Sequence, residues 1–87
     1  LLRVARRLGE SFEHAGHWAE AGELYARVRE LFPLDEELCR HLIRSHMARD
    51  ERVQAMGIYG RCREVMAKVL GVLPSPSIRA MIDTVRE

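Results

Sequence analysis

Leu24-Tyr25-Ala26-Arg27-Val28-Arg29-Glu30 returns 34 residues later as Ile58-Tyr59-Gly60-Arg61-Cys62-Arg63-Glu64. The same offset sets Arg6 on Arg40, Leu8 on Leu42 and Ala21 on Ala55. A segment that repeats at such a period is one supersecondary unit. A single unit cannot bury its own apolar face, so neighbouring copies must stack.

Working outward, the apolar residues recur at steps of three and four, the period of an amphipathic helix. Leu1, Val4, Ala5, Leu8, Phe12 and Ala15 form one stripe, which Gly16 ends. Trp18, Ala21, Leu24, Tyr25, Val28, Leu31 and Phe32 form a second, which Pro33 stops because proline cannot continue the hydrogen-bond ladder. A third carries Leu38, Cys39, Leu42, Ile43 and Met47, with Asp35 as its expected N-cap. A fourth carries Val53, Met56, Tyr59, Cys62, Met66, Val69 and Leu70, with Asp50 as its expected N-cap and Gly71 closing it. Ser75 and Pro76 suit the cap and first position of a fifth, whose stripe is Ile78, Met81, Ile82 and Val85. No segment alternates as a half-buried strand would. The expectation is an all-α chain of about five helices in antiparallel hairpins. It is a single domain over 1–87, with one repeat over about 2–35, a second over about 36–70 and a closing helix over about 75–87.

The 87 residues suffice for one small domain. Apolar residues at 47% and charged residues at 31% describe a folded composition. Net charge is +1, with basic and acidic residues interleaved, so the basic stripe of a nucleic-acid binder is missing and direct nucleic-acid contact is not expected. No stretch reaches the roughly 20 apolar residues of a spanning helix, so no membrane contact is expected either. Two cysteines are too few for a disulfide scaffold and read as free thiols in a reducing cytoplasm. The chain opens on Leu1 and reads as a piece of a longer protein.

The period and several positions resemble the tetratricopeptide family. Leu8-Gly9 and Phe12 stand in the signature slots of its first helix, and Ala21, Tyr25 and Pro33 in those of its second. Small residues at Gly9 and Ala21 let the two helices approach, and Tyr25 fills the gap beyond. The second copy is degenerate: Ile43 stands where the glycine was, no proline ends it, and its second helix is about a turn longer. A narrower resemblance rests on Tyr59-Gly60-Arg61-Cys62-Arg63, on Leu70-Gly71-Val72-Leu73-Pro74-Ser75-Pro76 and on Ile78-Arg79-Ala80. His17 to Ala21, Pro33 to Leu38 and His41 to Arg44 fit the same pattern. Together these resemble the bacterial transcriptional activation domain, the tetratricopeptide-like module of antibiotic-pathway regulators. That resemblance implies transcriptional control, with DNA bound by a winged helix-turn-helix outside these residues. The domain itself would contact other domains of the regulator or a second copy of itself. It also implies a longer N-terminal side, so that Leu1 exposes a face covered in the parent protein.

In such an array the first helix of each hairpin lines the concave face. That places Arg3, Arg6, Glu10, Glu13 and His14 there from the first hairpin, and Glu37, Arg40, Arg44 and Met47 from the second. Arg3, Arg6, Arg40, Arg44 and Met47 are the candidate partner-binding groove, where forked guanidinium groups suit a carboxylate or phosphate. The plainer alternative is a solvated face with helix-spaced pairs such as Arg6–Glu10. His14, His17, His41 and His46, even with Cys39, do not converge as a zinc site requires. Cys39 and Cys62 align with Ala5 and Val28, which are packing slots. Phe12, Trp18, Tyr25 and Tyr59 fall at core spacing. Gly57 and Gly60 mark either an exposed helix face or the close approach of another helix.

No nucleophile–base pair, carboxylate pair, phosphate loop or metal set supports an enzyme, and no cofactor is implied. The leading expectation is an interaction and oligomerisation module of a cytoplasmic bacterial regulator. Apolar surface at the N-terminal end and on the last helix would drive its self-association. The second is a general tetratricopeptide scaffold that takes an acidic or C-terminal peptide in the concave groove.

Overall fold

Asp35 shows how the sequence sets the element boundaries: its Oδ1 accepts the Leu38 N–H at 3.0 Å, capping the helix that follows. The structure, a computed structural model, describes residues 1–86. Five α-helices run in order: α1 Leu2–His14, α2 Trp18–Leu31, α3 Glu36–Ala48, α4 Arg52–Leu70 and α5 Pro76–Arg86. Among the described residues there is no strand. The last residue of the expected closing helix, Glu87, lies outside them.

The repeat is visible in the turns. Gly16 ends the first hairpin's turn at φ 78°, and its counterpart 34 residues on is Asp50, at φ 57°. The His17 N–H donates to Phe12 O at 2.8 Å, and the Glu51 N–H donates to His46 O at the same distance. Asp50 therefore does not cap α4 as its residue type suggests. It occupies a left-handed turn position that aspartate tolerates better than most residues, and Glu51 takes the N-cap place without a side-chain bond. Gly71 caps the far end of α4 at φ 67°, which glycine adopts without a Cβ penalty.

The core runs through Tyr25, Leu38, Leu42 and Ile43 between the two hairpins and ends under α5 at Ile78 and Ile82. Each hairpin packs against the next in sequence, as a stacked array does. Cys39 and Cys62 are buried within this core at 1% and 3% exposure, and Tyr59 is buried with them. Phe12 and Trp18 are half-buried. Gly9 is the tightest point, because a Cβ there would overlap the Tyr25 ring. The glycine thus admits Tyr25 itself onto α1. At Gly57 and Gly60, by contrast, a Cβ would meet no other helix within 4 Å: on Gly57 it would touch only the Arg61 side chain of α4, and on Gly60 nothing.

Apolar exposure is distributed differently from the expectation for the last helix. Ile78, Ile82 and Val85 of α5 are buried against α3 and α4, because the Leu70–Ser75 connection folds that helix back over the array. Exposed apolar groups gather instead at Val69 and Leu70 at the end of α4 with Val72 and Leu73 just beyond it, and at Leu1, Val4 and Leu8 at the start of the chain, while Leu31, Leu34 and Val53 are exposed elsewhere.

Candidate functional site

The concave face is built by α1, α3 and α5. Side chains on these helices enclose a shallow groove of about 470 Å³, with Glu10 on one wall, Arg40, His41 and Arg44 on the floor and Ser77 and Met81 on the other. Of the five groove candidates, Arg40 and Arg44 come together here. Arg40 pairs with Glu37, one turn before it, and donates from Nη1 to Ser77 Oγ at 3.2 Å. Arg44 reaches Glu13 from Nε at 3.4 Å. Met47 lines a smaller apolar recess beside it with Ile43, Met81 and Val85. Arg6 turns away to Asp35 Oδ2 at 3.7 Å, so its partner is the α3 cap and not the helix-spaced Glu10. Arg3 is exposed and lies outside the groove.

Behind the floor lies a polar cluster centred on Glu13, which is 9% exposed at its side chain. The Tyr25 hydroxyl donates to Glu13 Oε2, and His41 Nδ1 stands 2.8 Å from the same oxygen. Arg44 Nη2 lies 2.8 Å from that ring nitrogen as well. The Tyr25 and His41 rings stack at 4.7 Å between centroids, 21° from parallel. Burial pushes the Tyr25 hydroxyl far above its ordinary range, and the Glu13 bond adds to that. Burial also lowers His41 below its ordinary 6.5, against the pull of Glu13. A hydroxyl so hard to ionise and an imidazole kept neutral serve to join α1, α2 and α3, since each group is already engaged with the others.

The sequence placed Glu13 on the inner face without showing that it is the hub. A signal was present, because Glu13 stands four residues after Gly9 and so on the same helical face. A ring admitted at Gly9 reaches the next turn. His41 carried no comparable signal, because its stack with Tyr25 depends on how the hairpins meet. His46 pairs with Glu51 at 3.0 Å, while His14 and His17 are exposed.

A second polar group is buried under α2. The Arg29 Nη2 donates to Cys62 Sγ at 3.6 Å, and its Nε is buried without a hydrogen-bond partner among the described residues. A hydrogen bond from Cys39 and the Arg29 charge lower the Cys62 thiol to about 7, while Cys39 is held well above its usual range by the same bond and by burial.

The stretch Leu70–Pro76 supplies the observation that joins site and sequence. Gly71 reverses the chain, Pro74 is fully buried, and the Arg79 N–H donates to Ser75 O at 3.1 Å, so that α5 starts at Pro76 and lays Ser77 and Met81 along the groove. Compared with known families, residues 1–86 match the bacterial transcriptional activator domain. The chain belongs to that family. No curated protein and no solved structure matches it. As a bacterial transcriptional activator domain, the chain is a region of a transcriptional activator, and its signature run is the connection that seats the closing helix. Among the described residues no helix is long and apolar enough to cross a membrane.

Proposed function

We propose that this bacterial transcriptional activator domain is a non-catalytic interaction and oligomerisation module of a cytoplasmic regulator. Its partners would be other domains of the same regulator or a second copy, and DNA would be bound by a winged helix-turn-helix outside these residues. The observation that carries the reading is the exposed apolar group Val69, Leu70, Val72 and Leu73 on a domain of this family. Clustered exposed apolar side chains mark contact surfaces on soluble proteins. Light scattering at high micromolar concentration tests it. A concentration-dependent dimer that Leu70→Glu with Leu73→Glu disrupts is the expected result. A monomer at every concentration would remove oligomerisation from the reading.

A second reading is supported by Arg40 and Arg44 on one groove floor. A carboxylate-bearing peptide would take Arg40 from Glu37 there, beside the Ser77 hydroxyl, with Met47 in the recess beyond; Arg3 and Arg6, which stand outside the groove, would not take part. In this scaffold reading, Arg40→Glu with Arg44→Glu abolishes capture of an acidic C-terminal peptide, whereas the oligomerisation reading leaves the dimer intact in that variant.

A further inference from the structure

Two buried slots change together between the repeats. Ala5 on α1 and Val28 on α2 are core residues of the first, and 34 residues on both slots hold sulfur, as Cys39 and Cys62. Cys39 stands nine residues before the end of α3 and Cys62 ten after the start of α4, so the two are level across the hairpin. Both are buried, and Cys39 donates a hydrogen bond to Cys62. Arg29 of α2 also meets Cys62, donating from Nη2 to the sulfur at 3.6 Å. Among the described residues Arg29 makes no ion pair with a carboxylate, and its Nε is buried without a hydrogen-bond partner. A cation held in this way favours an anion on the group it touches, which here is the Cys62 sulfur. The Cys62 thiol accordingly falls to about 7, so roughly half of it is thiolate at neutral pH. Cys39 keeps its proton, held well above its usual range. The other charges acting on the pair are Glu36 on α3 and Arg61 on α4. A metal ion suits this cluster poorly. Among the described residues no third His, Cys, Asp or Glu joins the sulfurs, and the guanidinium repels a cation.

We propose that Cys39 and Cys62 are a redox pair, which a hydroperoxide converts to an intrachain disulfide that pins α3 to α4. Cys62 is the attacking sulfur and Cys39 the resolving one. Arg29 is the positioning residue that keeps Cys62 as thiolate. The thiolate attacks one peroxide oxygen: an S–O bond forms and the O–O bond breaks. The departing oxygen takes up the proton that Cys62 released and leaves as water or an alcohol. Cys39 then attacks the sulfenic sulfur: the S–S bond forms, the S–O bond breaks, and hydroxide leaves as water with the Cys39 proton. The two sulfurs lose two electrons and the peroxide gains them. Arg29 is half-buried, so the cluster lies one side chain from solvent, and hydrogen peroxide is little larger than water. The disulfide carries no charge, so oxidation also takes from Arg29 its anion. Reduction by a dithiol restores both sulfurs and that contact.

The test is hydrogen peroxide added to the folded chain, read by intact mass and peptide mapping. The expected result is the loss of two hydrogens per chain, a linked Cys39–Cys62 peptide, and reversal by dithiothreitol. Cys39→Ala and Cys62→Val place in the second repeat the residues that the first carries, so both suit the packing. Cys39→Ala should stop at one added oxygen on Cys62, which dimedone traps. Cys62→Val should leave Cys39 unoxidised over the time in which the unaltered chain is fully converted. Arg29→Gln should slow the loss of the Cys62 thiol about threefold at pH 7, because thiolate becomes scarcer though more nucleophilic. Above about pH 9 that difference should vanish or reverse, a change of pH profile that a packing role would not produce. A folded chain that loses no thiol overturns the proposal. So does a disulfide between chains, oxidation of Cys39 before Cys62, or an Arg29→Gln rate that is slower at every pH or at none.

Discussion

Glu13 and His41 set the pH response of the molecule through single contacts. The imidazole is buried among Glu10, Glu13, Tyr25 and Arg44, and burial depresses its pKa below 6.5 despite the two carboxylates. Between the folded pKa and 6.5 the unfolded chain binds more protons at this position than the folded one. The His41 contribution to stability is therefore full above pH 6.5 and is lost as the pH falls through that window. Urea midpoints from pH 8 to pH 5 should drop below pH 6.5, and the drop should be shallower in His41→Gln. An equal drop in the variant would mean that other groups carry it. The sequence showed at this scale which residues face inward, because helical spacing gives that directly. It did not show which of them meet, because Glu13, Tyr25 and His41 lie on three helices whose contact depends on packing.

Helix ends were more legible than helix surfaces. Asp35 and Gly71 cap as their residue types suggest, because a carboxylate that accepts an N–H and a glycine in the left-handed region are local solutions. Asp50 broke the rule since its place in the repeat is that of Gly16, and a turn that must reverse outweighs a cap. The two glycines inside α4 left two readings open, which the surroundings decide. Gly60 is exposed, with nothing within 4 Å of its would-be Cβ, so the glycine costs helix stability without a packing return. Gly60→Ala should stabilise the chain by about 0.5–1 kcal/mol. A thermal melt followed by circular dichroism reads this as a higher Tm. A lower Tm would show that α4 meets another surface at that point.

The whole molecule is a short stack, and its stability should be graded along it. The helices α2 and α3 lie between neighbours on both sides, whereas α5 rests mainly on α3 and α4 at the end of the stack. Its ties are the apolar contacts of Ile78, Ile82 and Val85, the Arg40–Ser77 bond and a bond from Arg52 Nη1 to Val85 O at 3.2 Å. In a linear array each element is stabilised mainly by what it touches, so an end element can open while the rest stays folded. Native-state hydrogen exchange should then show two levels. The amides of Tyr25 and Leu42 should exchange only through global unfolding. Those of Ile82 and Val85, though equally buried, should exchange at least about tenfold faster, a gap of about 1.4 kcal/mol. Low denaturant should leave the α5 rates nearly flat and speed those of α3, because opening one short helix exposes little surface. Equal protection of Val85 and Leu42 would mean that the chain opens all at once. Because α5 carries Ser77 and Met81, its opening also removes one wall of the concave groove. A partner that seats in that groove would therefore raise the protection of Ile82 and Val85 before that of Leu42.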